Sequence, residues 1–68
     1  MVIRERDIAF ERGDYWVLRV RTGFEVYRIG VTHSTRCAVI GFKGAEGMRR
    51  AIAEIDRRIS LRRIDVHN

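Results

Sequence analysis

Residues 15–42 read YWVLRVRTGFEVYRIGVTHSTRCAVIGF, residues 44–59 read GAEGMRRAIAEIDRRI, and these two stretches decide the fold. In the first stretch apolar and polar side chains alternate at short spacing, which is typical of half-buried β-strands. In the second, apolar side chains recur every three or four residues, which is the period of a helix with one apolar face. The sequence therefore predicts an α+β fold: a three- or four-stranded antiparallel β-meander followed by one C-terminal α-helix packed on the sheet.

Turn signals divide the chain into short strands. They are the pairs Gly13-Asp14 and Thr22-Gly23, the polar residues 32–35 and the glycines near the start of the helix. The strands are predicted at residues 7–12, 15–22, 24–31 and 36–42. The first of them is short enough to be either a strand or an arm.

The helix is predicted at residues 45–59. Its apolar residues share one face and are Ala45, Met48, Ile52, Ile55 and Ile59. Glu46 precedes Arg50, and Glu54 precedes Arg58, by four residues, the order that stabilises a helix. Paired arginines at residues 49–50, 57–58 and 62–63 either contact phosphates or form a solvated face with these acids.

The turn between the second and third strands determines which face of the sheet is buried. A two-residue loop at Thr22-Gly23 puts Leu18 opposite Tyr27. The helix then covers the face of Trp16, Leu18, Val20, Tyr27, Ile29 and Val31, and the other face stays exposed. A three-residue loop that ends at Gly23 has better turn chemistry, but it exchanges the two faces. We prefer the first register, because it separates polar from apolar residues more cleanly.

The chain is basic, with a net charge of +5 and thirteen arginines to one lysine. Residues 15–36 hold four arginines and a single acid, Glu25. Positive charge attracts polyanions, and the planar guanidinium suits phosphates and base edges. The alternative explanation of the arginine excess is codon usage, because GC-rich genomes place arginine at ordinary surface positions.

The preferred register predicts a nucleic-acid-binding surface on the exposed face and its rim. Its candidate residues are the cations Arg19, Arg21, Arg28, Arg36 and Lys43, which would contact the backbone, and the rings of Tyr15 and Phe24, which would stack on bases. The rival interpretation is a protein-interaction module without a nucleic-acid partner. In that case Val17, Phe24 and Val26 would form a dimer interface.

The predicted layout resembles two families of nucleic-acid-binding domains. Three strands and a helix are similar to the AP2 and integrase arm-type DNA-binding domains, whose sheet enters the major groove. Four strands and a helix are similar to the PC4-type single-strand-binding coactivators, which dimerise. The string VIGFKGAEG also resembles the KH pattern, in which the loop at residues 41–44 would clamp a nucleic-acid backbone. Alternatively, its glycines connect a strand to the helix.

Sixty-eight residues are enough for one small domain, with residues 1–6 and 61–68 expected to fray. Cys37 is the only cysteine, so the chain cannot form an internal disulfide, and with His33 and His67 it does not make a structural zinc set. Small domains often depend on a partner subunit instead. We therefore expect a homodimer that needs no metal or cofactor.

The sequence contains neither a bilayer-spanning apolar run nor a secretory signal, because Glu5 and Asp7 interrupt the N-terminal segment. A lone free cysteine fits a reducing compartment. We expect a cytoplasmic protein with no membrane partner.

His33 and Ser34 are neighbours in a polar turn and lack the orienting group of a nucleophilic site. We therefore expect no enzymatic activity and no small-molecule substrate.

Overall fold

The computed structural model describes residues 5–66, with side chains for residues 6–61. A 3₁₀ turn at Glu5–Asp7 is followed by four strands and a helix, which are β1 (Ile8–Arg12), β2 (Tyr15–Val20), β3 (Gly23–Ile29), β4 (Ser34–Ile40) and α1 (Gly44–Val66). The strands form one antiparallel sheet in the order β1-β2-β3-β4, and α1 packs on β3 and β4. The predicted fold class is confirmed, and the uncertain first segment is a strand.

The helix is longer than expected. It ends at Val66 rather than near residue 59. No glycine or proline interrupts residues 60–66, and nothing in the local sequence therefore stops the helix. Residues 1–4 and 67–68 lie outside the described part of the chain.

The β2–β3 hairpin has neither of the two expected registers. Val20 lies opposite Gly23, so Arg21 and Thr22 form the connection. Gly23 is therefore a strand residue rather than a turn residue. Its φ of 153° disfavours any side chain, and a Cβ there would collide with the carbonyl oxygen of Ile40. Glycine at this position thus permits the close approach of β4.

The helix covers the face of the sheet that we expected to be exposed. The buried core combines residues of β2, β3 and α1, namely Tyr15, Val17, Phe24, Val26, Ala51 and Ile55. Met48 and Ile59 pack against this core as expected, whereas Ala45 is exposed. The side chains divide between the two faces as the preferred register predicted, but the assignment of the inner face was wrong.

Gly47 brings the first turns of the helix close to the sheet. A Cβ at this position would collide with the carbonyl oxygen of Phe42 and would lie 2.7 Å from Cε2 of Phe24. Further along α1, Nη2 of Arg58 donates a hydrogen bond to the carbonyl oxygen of Cys37 at 3.0 Å. These contacts seat the helix over β3 and β4.

Each of the two glutamates of the helix pairs with two arginines. Glu46 binds Arg49 and Arg50, and Glu54 binds Arg57 and Arg58. The two predicted i,i+4 pairs are confirmed, and each gains a partner at i+3. These arginines form a solvated helix face in which the acids neutralise much of the positive charge, so they offer phosphates less than their number suggests.

Candidate nucleic-acid interface

The β2–β3 turn and the start of the helix together form a cationic cleft. It has a volume of about 330 Å³ and is lined by Arg19, Val20, Arg21, Gly23, Phe24, Lys43, Gly44, Ala45 and Met48. Arg19 lies near the end of β2 and Arg21 lies in the turn that follows it, and the loop after β4 brings Lys43 to the same end of the molecule. Three of the five predicted backbone-contacting cations therefore line one cleft.

The cations of this cleft are not paired with acids in the part of the chain whose side chains are described. Within residues 6–61, none of Arg19, Arg21 and Lys43 makes an ion pair. Nη1 of Arg19 donates one long hydrogen bond, 3.4 Å, to the carbonyl oxygen of Arg6. Four helix arginines, at positions 49, 50, 57 and 58, by contrast pair with Glu46 or Glu54. The cleft is therefore a place where an external anion would meet uncompensated positive charge.

The first turn of α1 lies at the wall of the cleft. Gly44 begins the helix with a φ of 65°, and the amide of Gly47 donates to the carbonyl oxygen of Lys43 at 3.3 Å. Glu46 is the acid of this turn, and hydrogen bonds first from Arg50 and then from Arg49 lower its pKa. Its carboxylate is therefore engaged along the helix surface by these two arginines.

The other predicted site residues lie elsewhere. Tyr15 and Phe24 are 6% and 4% exposed in the core, and neither ring is available to stack on a base. Phe24 is one of the residues that line the cleft. Arg28 lies opposite Tyr15 at the far end of the hairpin, about 13 Å from Arg19 along the strands. The expected grouping of these residues on one exposed face is therefore wrong.

Burial also removes the expected dimer surface. Val17 and Val26 are completely buried, and Phe24 is nearly so, because the helix packs on them. They are part of the core of one chain and cannot meet a second copy in this fold. The rival protein-interaction hypothesis therefore requires a different surface.

Phe42 is a candidate contact residue that our sequence reasoning did not single out. It precedes Lys43 in the β4–α1 loop, its side chain is 46% exposed, and the guanidinium of Arg50 lies 3.8 Å from the centre of its ring. An exposed aromatic ring next to unpaired cations is typical of single-strand binding surfaces. The sequence feature that could have identified Phe42 is its position in the glycine loop of VIGFKGAEG. That loop connects a strand to the helix, as the alternative interpretation predicted.

A second cavity lies at the opposite end of the hairpin. It measures about 590 Å³ and is lined by Asp14, Arg28, Ile29, Gly30, Val31, Thr35 and Cys37. Although it is larger, its charged residues are one arginine and one aspartate. It does not concentrate positive charge, and the cationic cleft is therefore the stronger candidate for an anionic partner.

The side of the sheet that faces away from α1 is called the helix-free face here. The strand registers place on it Ile8, Glu11, Trp16, Leu18, Val20, Glu25, Tyr27, Ile29, Ser34, Arg36 and Val39. The rings of Trp16 and Tyr27 stack, and Nε1 of Trp16 donates to the hydroxyl of Ser34 at 3.0 Å. Arg36 contacts Glu25 here, at 3.5 Å, and so lies on the face opposite the cleft.

Comparison of the chain with protein-family models, with curated protein sequences and with solved structures returns no significant match. Within residues 5–66, no helix has the length and apolar character required to cross a bilayer. The same part of the chain brings no three histidine, cysteine, aspartate or glutamate side chains together as metal ligands. The geometry of the cationic cleft is therefore the main indication of function.

Proposed function

We propose that this chain binds nucleic acid through the cationic cleft, and that it does so without catalysis. The observation that carries the proposal is the convergence of Arg19, Arg21 and Lys43 in one cleft, with no ion pair to any described acid. Unpaired cations that share a concave site suit successive phosphates of a backbone, because each phosphate contact releases condensed counterions.

Charge distribution supports the cleft over the rest of the surface. Four of the helix arginines already pair with Glu46 and Glu54, and Arg12 pairs with Asp56. A phosphate that approached those arginines would compete with an internal carboxylate. In the cleft it would meet no such competitor among the described residues. Phosphate contacts position a nucleic acid but do not read its sequence, so we expect little sequence preference.

The exposed ring of Phe42 extends the proposal to single strands. Unstacked bases gain roughly 1–3 kcal/mol each when they stack on an aromatic side chain. Arg50 occupies one face of the ring. A base would therefore use the other face or displace the guanidinium. We expect single-stranded DNA or RNA to bind more tightly than duplex, and Phe42→Leu to reduce that preference.

The test is fluorescence-anisotropy titration with labelled single- and double-stranded DNA and RNA over a series of salt concentrations. Each of Arg21→Ala and Lys43→Ala is expected to weaken binding and to reduce the slope of log K against log salt by about 0.7–0.9. The double variant should lose about twice as much.

Two arginines serve as matched controls. Arg57→Ala removes a cation that Glu54 already neutralises, and Arg28→Ala removes a cation at the far end of the hairpin, in the cavity that Asp14 also lines. Both should leave the salt slope unchanged. If Arg28→Ala and Arg21→Ala weaken binding equally, binding depends on overall charge and the cleft is not the site. If the unaltered chain does not bind at low salt, the proposed function is wrong.

A further inference from the structure

A row of four side chains crosses the helix-free face from one edge of the sheet to the other. Glu11 lies opposite Trp16, Trp16 opposite Tyr27, and Tyr27 opposite Arg36. The row therefore carries an acid at the β1 edge, two stacked rings in the middle and a base at the β4 edge. If a second copy of the row lies against it in the opposite direction, each acid faces a base and each ring faces a ring.

The same face is rich in apolar side chains. Ile29 is 52% exposed and Val39 is 58% exposed, and the rings of Trp16 and Tyr27 are half-buried beside them. The solvent-facing side of an antiparallel sheet usually carries polar side chains at these positions. Leu18 of the same face is only 3% exposed, so the open apolar surface consists of Ile29, Val39 and the two rings. Exposed apolar side chains on an uncovered sheet face mark an interaction site.

The distribution of charge indicates that the partner on this face is a second copy of the chain. A two-fold axis that lies between two stacked sheets and runs parallel to the strands reverses the strand order of the partner. Glu11 then faces Arg36 of the partner subunit, and the ring of Trp16 faces the ring of the partner's Tyr27. A two-fold axis perpendicular to the strands would instead bring like charges together. Symmetric dimers use one self-complementary patch on both subunits, as the first arrangement does.

The partially buried acid of this face is already satisfied. The carboxylate of Glu25 accepts hydrogen bonds from the hydroxyl of Tyr27 at 2.7 Å and from Nη1 of Arg36 at 3.5 Å. Within the described residues Glu11 makes no ion pair, and the side chain of Arg36 is 58% exposed. Glu25 therefore keeps hydrogen-bond partners within its own chain when water leaves the centre of the face. Glu11 has no ion pair within the described residues, and the long contact of Arg36 with Glu25 leaves most of the Arg36 side chain exposed to a partner.

We propose that the helix-free face is the interface of a two-fold homodimer, in which Glu11 of each subunit pairs with Arg36 of the other. This inference is independent of the proposed nucleic-acid binding.

Four strands spaced about 4.8 Å apart, five to seven residues long, give a footprint of about 400 Å². A standard interface buries about 800 Å² per partner. The dimer is therefore weak and dissociates on dilution.

The first measurement is the molar mass by sedimentation equilibrium over a wide range of protein concentration, with tryptophan emission recorded in parallel. Trp16 is the only tryptophan of the chain and lies in the centre of the interface. Its emission should shift to the red as the dimer dissociates. The proposal is wrong if the chain stays monomeric at all concentrations, or if the wavelength of maximum emission does not change when the dimer dissociates.

The second measurement uses charge reversal. Glu11→Arg and Arg36→Glu should each weaken the dimer at least about tenfold, because each creates two like-charge contacts per dimer. An equimolar mixture of the two variants should restore the dimer, since every contact in the mixed dimer again joins opposite charges. Loss of folding in one variant could not produce that recovery.

The matched control is Arg49→Glu, a charge reversal on the helix, away from the helix-free face. It should leave the dissociation constant within about twofold of the unaltered chain. A dimer that tolerates both Glu11→Arg and Arg36→Glu would show that another surface mediates association. A dimer that both reversals weaken, but that mixing does not restore, would exclude the proposed two-fold arrangement.

Discussion

The ring of Trp16 stacks on the ring of Tyr27 across β2 and β3, with centroids 4.6 Å apart and planes inclined by 15°. Both rings lie on the face of the sheet that the helix does not cover. Cross-strand aromatic pairs stabilise a sheet by a few tenths to about 1 kcal/mol. The pair thus strengthens the central hairpin from outside the core, and the Tyr27 hydroxyl also donates a hydrogen bond to Glu25 of the same strand.

The phenol of Tyr27 should titrate above the ordinary tyrosine pKa of 10.0, mainly because its hydroxyl donates a hydrogen bond to Glu25. Burial and the charge of Glu25 raise the pKa further, and Arg36 opposes them. A raised folded pKa means that this stabilisation is complete below the unfolded pKa and is lost as pH rises through the folded value. Glu25→Gln should lower the pKa towards its ordinary range.

Ultraviolet absorbance over alkaline pH follows this ionisation. A Tyr15→Phe background removes the only other tyrosine, so the signal belongs to Tyr27 alone. An unchanged titration curve in the Glu25→Gln variant would show that the hydrogen bond does not control the phenol.

Gly47→Ala should destabilise the protein by about 1–3 kcal/mol, although alanine is the better helix former by about 1 kcal/mol. The added Cβ would collide with the carbonyl oxygen of Phe42 and press on the ring of Phe24, so the first turns of α1 must move away from the sheet. Gly41→Ala is the control, because a Cβ there meets nothing within 4 Å. Thermal unfolding compares them, and a stabilised Gly47→Ala variant would contradict the close approach.

Ile55 is completely buried at the contact between the helix and the sheet. Ile55→Val should lower the free energy of unfolding by about 1 kcal/mol and Ile55→Ala should lower it by about 2–5 kcal/mol. The truncated side chain buries less apolar surface and also leaves a cavity. Chemical denaturation measures both. Leu61→Ala, at a side chain that is 48% exposed, should change the free energy of unfolding by no more than about 0.5 kcal/mol. Equal effects at the two positions would refute the placement of the core.

The helix should lose stability in acid. Hydrogen bonds from Arg57, and then from Arg58, lower the pKa of Glu54 against the opposing effect of burial. A lowered folded pKa gives stability that is present above the ordinary value of 4.5 and is lost as pH falls through the folded value. Glu54→Gln should therefore flatten the acid limb of the melting temperature plotted against pH.

Glu46→Gln provides a graded comparison on the same helix. The side chain of Glu46 is 46% exposed and that of Glu54 is 19% exposed, so water screens the first more strongly. Glu46→Gln should therefore flatten the acid limb less than Glu54→Gln does. The reverse order would mean that exposure does not control the strength of these ion pairs.

The sequence predicted the elements of the fold well but the site only in part. Strand alternation, helix period and i,i+4 charge pairs are local signals, and each reappears in the structure. Arg19, Arg21 and Lys43 meet in one cleft, whereas Tyr15 and Phe24 are buried in the core. The difference arises because a residue's accessibility depends on which element packs over it, and that is a long-range property.

The sequence by itself determined an antiparallel meander with one C-terminal helix, and it determined which side chains within each strand share a face, because the side-chain period of a strand is two. Only the tertiary structure decided which face the helix covers. Both faces carry aromatic and branched apolar residues, and one helix can bury only one of them. Gly47, with no side chain, fits against Phe24 and the Phe42 carbonyl, so the helix settles on that face. The row from Glu11 to Arg36 is left facing outward.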